Sequence, residues 1–463
     1  MASDAAGLSV AWRGAKSWPR GFWLHALRWR QRLIFLFGGC LVGLAGVLMA
    51  VGADMAHSVF DRLLAFWPLA PLIVTPAGFA GLAWLTRTAF PNSEGSGIPQ
   101  AIAARKLWGV RERGRLVSVR IGVGKIILTL AGLLVGASIG REGPTVQVGA
   151  SVMFALGRLS PARQPGLILA GAAAGIAAAF NTPLAGVIFA IEEMSRSFDE
   201  RSNGLVIGTI IAAGIVSVAL VGNYTYFGVS NAVLGSAFGW VTVPVCGIVG
   251  GLLGGVFSRI LVVVARGLTW RAGRWLKRHP VVFALGCGLL VAICGVASGG
   301  SVFGTGYPQV KALIDKGVPL PLLFGLLKMA ATTLSSIAGI PGGLFSPSLA
   351  VGAGIGFDVA NVFPGVPVDA VVLLGMVGYF SGVVQAPITA FAIVVEMTAD
   401  HNMVVPLMAS SLIATGASRL ICSEGVYHIL SRNYIRLYAP EEATPAPGAA
   451  IAVTPTLEGE PDR

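Results

Sequence analysis

Charge is scarce in this chain: of its 463 residues, Asp, Glu, Lys and Arg make up 12%, roughly half of the about 25% usual in soluble domains. A water-facing surface of this size needs more, so a soluble globular protein is excluded. Cysteine is sparse too. Cys40, Cys246, Cys287, Cys294 and Cys422 are odd in number and scattered, and no pair has metal spacing, which rules out a disulfide framework and a zinc site. His25, His57, His279, His401 and His428 stand alone, so no metal ligand set is expected. There is no His/Cys cluster, nucleophile elbow or acidic metal motif in the apolar runs, and an enzyme is therefore not expected. Short alternating segments are missing as well, which excludes a membrane β-barrel.

What fills the chain instead is apolar. Hydrophobic residues reach 55%, in runs at 33–53, 64–86, 122–139, 165–191, 204–222, 233–264, 281–299, 318–340, 368–395 and 403–421. A span needs about 20 apolar residues; several of these runs are shorter, broken by Pro and Gly, or long enough for two helices. The first run is long and lacks a cleavage site, so it reads as a span and not as a signal peptide.

The net charge of +12 does not indicate a nucleic-acid partner, because of where it lies. Arg13, Lys16, Arg20, Arg28, Arg30 and Arg32 precede the first span, and Arg105, Lys106, Arg111, Arg113, Arg115 and Arg120 lie between apolar runs. Basic residues beside spans mark the cytoplasmic side, which puts the N-terminal segment 1–32 and a 104–120 loop inside. The tail 439–463, rich in Pro, Ala, Thr and Glu, is expected to be disordered and cytoplasmic.

Two stretches are near-copies: Gly140-Arg141-Glu142-Gly143-Pro144 and Gly343-Leu344-Phe345-Ser346-Pro347, with prolines 203 positions apart. Lys125 and Lys328 each lie 19 residues before these prolines. Asn181-Thr182-Pro183-Leu184 followed by Glu192 matches Gln385-Ala386-Pro387-Ile388 followed by Glu396, at an offset of 204. Gly95-Ser96-Gly97-Ile98-Pro99-Gln100 pairs with Gly304-Thr305-Gly306-Tyr307-Pro308-Gln309, offset by 209. Four collinear matches at nearly constant offset make the chain two homologous halves, about 30–220 and 235–425. Transporter repeats occur in inverted and parallel forms, and spacing alone leaves both open; an odd number of crossings per half would invert the second.

Each Gly/Pro motif reads as an extended stretch followed by a helix start, since glycine lets the backbone leave the helix and proline suits its first turn. A helix start exposes unpaired N–H groups and a positive dipole end, together an anion site. Starts converging from 95–99, 140–144 and 343–347 would hold an anion without a full positive charge, as a permeating ion requires. Glu142 stands at one of them. A carboxylate within the membrane costs about 2.5–3.5 kcal/mol, and the dipole end can offset it, so Glu142 competes with the anion: ionised it plugs the site, protonated it releases it. A buried pair with Arg141 is the simpler structural alternative. Glu192 and Glu193 end a long apolar run before Arg196, Asp199, Glu200 and Arg201; one could be solvated and structural and the other could pass protons, and the residues do not choose between them.

At these residues the chain closely resembles the CLC family of chloride channels and chloride/proton antiporters. The family's signatures GSGIP, GREGP and GxFxP stand at 95–99, 140–144 and 343–347, and order and spacing match over about residues 30–435. The resemblance implies an all-α membrane domain over 33–438, with two inverted-topology repeats of tilted and broken helices in a homodimer, each subunit with its own pathway. It implies that Ser96 and Tyr427 bind chloride through hydroxyls and Leu344 and Phe345 through backbone N–H groups. Glu142 matches the external gating glutamate, and Glu193, second in Ile-Glu-Glu-Met, matches the internal proton glutamate of the antiporters. Channel members usually lack an acid there, so a secondary active chloride/proton antiporter is expected, with a passive voltage- or pH-gated chloride channel as the alternative. Ser96 looks like the chloride type, since nitrate-preferring relatives carry proline and fluoride exporters a different motif. Gln100 departs from the glutamate common after GSGIP, which would alter the local charge. No cofactor or metal is implied beyond the transported chloride and protons, no CBS domains follow, and the bacterial inner membrane is the expected location.

Overall fold

A computed structural model describes residues 20–195, 203–222, 225–267, 273, 275 and 278–439. Most of the basic N-terminal segment, the charged stretch 196–201 and the tail beyond Ala439 lie outside the described residues. Among those described there is no β-strand. The helices run α1 (Arg20–Phe66), α2 (Pro71–Thr88), α3 (Ile98–Lys106), α4 (Val110–Val117), α5 (Val119–Leu134), α6 (Glu142–Leu156), α7 (Gln164–Phe180), α8 (Pro183–Phe189) and α9 (Asn203–Val221). After them come α10 (Ala237–Trp240), α11 (Thr242–Arg266), α12 (Pro280–Ala297), α13 (Tyr307–Lys316), α14 (Phe324–Ile337) and α15 (Phe345–Val362). The last four are α16 (Val368–Val384), α17 (Pro387–Thr398), α18 (Val404–Arg419) and α19 (Val426–Tyr438).

Among the described residues, five helical stretches are long and apolar enough to cross a membrane: Trp29–Phe66, Val110–Leu134, Gly204–Val221, Ala237–Arg266 and Pro280–Ala297. Between 33% and 56% of the most apolar window of each is buried, so the rest of that surface faces outward, where hydrocarbon is its natural solvent. Several shorter helices sit in the interior: α6, α7, α15 and α16 are buried along most of their length. The non-helical backbone that leads into α6 and α15 is buried with them, as backbone outside helices must be at membrane depth. The segment 104–120, expected as a loop, is instead the end of α3, the helix α4 and the start of α5. One of its basic residues turns inward: Arg113 donates to the Leu107 carbonyl at 2.7 Å and to Gln164 Oε1 at 2.9 Å.

The duplication is visible in contacts as well as in sequence. α6 packs on α7, and α15 packs on α16, through glycines at equivalent places. A Cβ on Gly149 would lie 2.2 Å from the Gly171 carbonyl oxygen, and one on Gly352 would lie 2.4 Å from that of Gly375. The Asn-Thr-Pro and Gln-Ala-Pro motifs are helix-to-helix corners. Asn181 (φ 57°) and Gln385 (φ 55°) close α7 and α16 in the left-handed region, and Pro183 and Pro387 open the next helices.

Reciprocal contacts define how the halves relate. Gly140 and Gly343, equivalent residues, exchange backbone hydrogen bonds of 2.8 and 2.7 Å as an antiparallel bridge. Glu192 accepts from the Ile388 and Thr389 amides at 3.1 and 2.6 Å. Glu396, its equivalent, accepts from the Leu184 and Ala185 amides at 3.1 and 2.8 Å. When A binds B′ and A′ binds B, a two-fold axis relates the halves. An antiparallel bridge between equivalent residues places that axis across the two chains at Gly140 and Gly343, as in inverted repeats.

Candidate functional site

The axis passes where the three Gly/Pro loops meet. The loop at 95 pairs with Pro341 in a parallel bridge, Gly95 and Gly342 being joined by a 3.0 Å backbone hydrogen bond. The space beside Gly143 is filled by Ser96 on one side and by Gly343 on the other, at 2.3 and 3.3 Å from where a Cβ would stand. The expected convergence of α3, α6 and α15 is therefore present, and only a glycine fits between the loops.

Why the loops keep this shape follows from two buried lysines. Lys125 Nζ donates to the carbonyls of Ser93 at 2.8 Å and Gly95 at 2.5 Å. Lys328 Nζ does the same to Val302 at 2.8 Å and Gly304 at 2.7 Å. In a planar trans peptide the C=O of one residue and the N–H of the next point in opposite directions. Drawing the Gly95 carbonyl toward Lys125 thus turns the Ser96 N–H the other way. Gln100 adds an amide donor, to the Glu94 carbonyl at 2.7 Å and the Asn92 carbonyl at 3.3 Å. A glutamate there could accept but not donate, so the departure at Gln100 changes how the loop is held as well as its charge.

Glu142 is fully buried at the first position of α6, yet its carboxylate reaches the start of α15. It accepts a short hydrogen bond from the Ser346 hydroxyl, the Ser346 N–H at 3.4 Å and the Tyr226 hydroxyl at 3.4 Å. Tyr226 and Ser346 hydroxyls are themselves 3.2 Å apart. The pairing with Arg141 is not what forms. The Arg141 guanidinium turns away to the Ala50 carbonyl at 2.8 Å and Asp54 at 3.2 Å, and lies 5.6 Å from the centre of the Tyr226 ring. One side chain's charge therefore occupies an anion place made by the other half of the molecule.

A cavity of about 510 Å³ approaches the same point, lined among others by Glu94, Ser96, Leu344, Tyr427 and Tyr434. The hydroxyls of Ser96 and Tyr427 are both buried and lie against each other, and neither has a further hydrogen-bond partner. Two buried hydroxyls with donor capacity to spare at the end of a cavity, beside converging helix starts, are able to donate to an anion. Tyr427 has Ser96, Glu142 and Glu193 as its polar neighbours. Phe345 contributes its ring to an aromatic wall, 4.7 Å from Phe380, 6.0 Å from Tyr427 and 6.1 Å from both Phe180 and Phe189.

The two acids of Ile-Glu-Glu-Met separate in space. A π-helical turn, Ala190–Ser195, sends Glu192 to cap α17, where its carboxylate binds the two amides described above. Glu193 points inward, 2% exposed, and its carboxylate lies 3.4 Å from His428 Nε2. Tyr226 carried no sequence signal, because it stands between the repeats outside every motif. Ser346 did carry one, as the hydroxyl next to Pro347 where the first half has Gly143.

The family model described as "Voltage gated chloride channel" matches residues 78–419. The "H(+)/Cl(-) exchange transporter ClcA" of Yersinia pseudotuberculosis serotype IB (strain PB1/+) is 30% identical over 454 residues, covering 91% of this chain and 90% of the relative. The protein of the same name from Salmonella arizonae is 30% identical over 437 residues, covering 88% and 89%. Among solved structures, a CLC-type fluoride/proton antiporter superposes with a TM-score of 0.73 at 22% identity, covering 89% of this chain and 99% of that one. A slow cyanobacterial Cl−/H+ antiporter gives 0.71 at 24% identity, covering 87% and 98%. These likenesses bear out the expected all-α fold of broken helices in two repeats.

Proposed function

The chain belongs to the voltage gated chloride channel family, known as CLC, and on that basis we propose that it is a secondary active chloride/proton antiporter in which Glu142 and chloride contend for one site. The relatives named as H(+)/Cl(−) exchange transporters support exchange over passive conduction. The observation that carries the mechanism is the Glu142 carboxylate seated on the Ser346 amide and hydroxyl at the start of α15.

The magnitudes suit a competitor. Burying the carboxylate costs about 2.5–3.5 kcal/mol. A helix N-terminus returns about 0.3–2 kcal/mol, and hydrogen bonds to a charged group about 1.5–3 kcal/mol each. Over three contacts, two of them long at 3.4 Å, the gains outweigh the loss, but every one of them depends on the carboxylate's charge. A proton removes the charge that the helix end and hydroxyls favour, and chloride then takes the place. Loss of the proton lets the carboxylate return and eject the anion.

In this reading Ser96, Tyr427 and the N–H groups of Leu344 and Phe345 hold the central chloride, and Ser96 keeps the chloride preference. Glu193 receives protons from the cytoplasm and passes them past Tyr427 to Glu142. The functional unit is a homodimer in the bacterial inner membrane, with both termini cytoplasmic and no cofactor. The deciding experiment is reconstitution into liposomes with simultaneous chloride and pH electrodes. A chloride gradient should move protons in the opposite direction, uphill if need be. Chloride flux without proton movement would make the protein a passive channel.

A further inference from the structure

His428 follows Tyr427 directly at the start of α19, and nothing in the proposed transport cycle uses it. It is 5% exposed and Glu193 is 2% exposed, and Nε2 stands 3.4 Å from Glu193 Oε1, within ion-pair distance but outside hydrogen-bond geometry. α19 packs against α3, α11 and α16. The charged and titratable groups on these elements are Arg105 and Lys106 on α3, Cys246, Arg259 and Arg266 on α11, and Asp369 and Tyr379 on α16. α19 itself carries Tyr427, Arg432, Tyr434, Arg436 and Tyr438; the turn that carries Glu193 adds Glu192, and α17, packed on that turn, adds Glu396. Arg105 binds the neighbouring Met194 carbonyl at 2.7 Å; it is Glu193 that stands at ion-pair distance from the imidazole.

We propose that Glu193 and His428 hold one proton between them, so that protons enter the pathway through a carboxyl–imidazole pair and not through a lone carboxylate. The inference deepens the antiport reading and rests on it for its functional meaning. A buried carboxylate alone and a buried imidazolium alone are each costly. With one proton the pair is neutral, whether written as two neutral groups or as an ion pair, and that state is favoured over both charged extremes. Groups this close titrate as a unit in two macroscopic steps. The pair therefore loads and releases protons one at a time, through its singly protonated state. Its position supplies the coupling. Chloride bound beside Tyr427 brings a negative charge next to the pair, in an interior where charges interact strongly. That favours the second proton, so anion occupancy and proton loading rise together.

The test uses the full-length protein. In liposomes, chloride-driven proton flux of the wild type should show two titration steps across about pH 5–8, the range in which imidazole responds. His428→Gln should collapse the profile to one step, with chloride affinity by calorimetry changed less than about twofold. His428→Asn should behave likewise, whereas His428→Arg, a fixed positive charge, should hold Glu193 ionised and suppress proton flux while chloride flux continues. An unchanged two-step profile in the Gln variant overturns the proposal. Infrared titration of the wild type provides a reading that needs no histidine variant. A carboxyl band removed by Glu193→Gln should titrate in two steps together with the imidazole bands, and both steps should move to higher pH when chloride is added. A carboxyl band that titrates once, independently of imidazole, overturns the shared proton. Chloride flux without proton movement in the wild type would instead overturn the antiport reading, and the infrared titration would still decide the pair.

Discussion

Glu142 is held by donors that favour its charge and by little else, which makes the consequence of neutralising it direct. Glu142→Gln keeps the shape but lacks both the charge and the proton, so the anion place at Ser346 stands open to chloride. Anion flux should persist and chloride-driven proton movement should vanish, as read by paired electrodes; retained coupling would remove Glu142 from the gate. Tyr427 presents a buried hydroxyl, beside that of Ser96, to the same pathway. A hydrogen bond to an ion is worth about 1.5–3 kcal/mol, so Tyr427→Ala should weaken chloride binding by about tenfold to a hundredfold. A calorimetric isotherm unchanged from the wild type would exclude Tyr427 from the site. At this scale the sequence was legible where a residue sits inside a motif, as Ser96, Glu142 and Phe345 do. It was silent on Tyr226, which reaches Glu142 from the connection between the repeats.

Helix ends carry the architecture. Glu192 and Glu396 each cap a helix of the opposite repeat with two backbone hydrogen bonds, and their symmetry makes a quantitative demand. Glu192→Gln and Glu396→Gln should each lower stability by a similar amount, about 1–3 kcal/mol, measured as a fall in thermal midpoint in detergent. One silent and one severe variant would contradict the equivalence of the repeats. The neighbouring acid should behave differently. Glu193→Ala should abolish proton coupling with chloride flux retained, while Glu192→Gln should leave coupling intact; coupling that survives Glu193→Ala would mean another internal proton route. The sequence could not divide these roles, because adjacent residues on a regular helix point about 100° apart without any indication of which direction leads inward. A π-turn and its packing make that choice.

Every group proposed to touch chloride or a proton belongs to one chain, and the loops at 95, 140 and 343 close on one another within it. On the proposed reading each subunit of a homodimer would contain a whole pathway. In a homodimer, mixing wild-type and Glu142→Gln subunits should give coupled proton flux proportional to the wild-type fraction. A steep loss of coupling at small mutant fractions would mean that the pathways depend on each other. The outward apolar faces of the five long helical stretches set the chain in lipid, and the short buried helices between them exist because those faces shield them.

The sequence by itself determined the membrane setting, the duplication, the helix starts and the presence of acids among them, since each of these is written in local composition or in spacing. Tertiary structure decided which helix start receives the Glu142 carboxylate, that Arg141 turns to Asp54, that Glu192 caps and Glu193 faces inward, and that His428 meets Glu193. The physical reason is range. Propensity and periodicity act within a few residues, whereas a carboxylate 204 positions from its amide partner is placed by the two-fold arrangement of whole repeats.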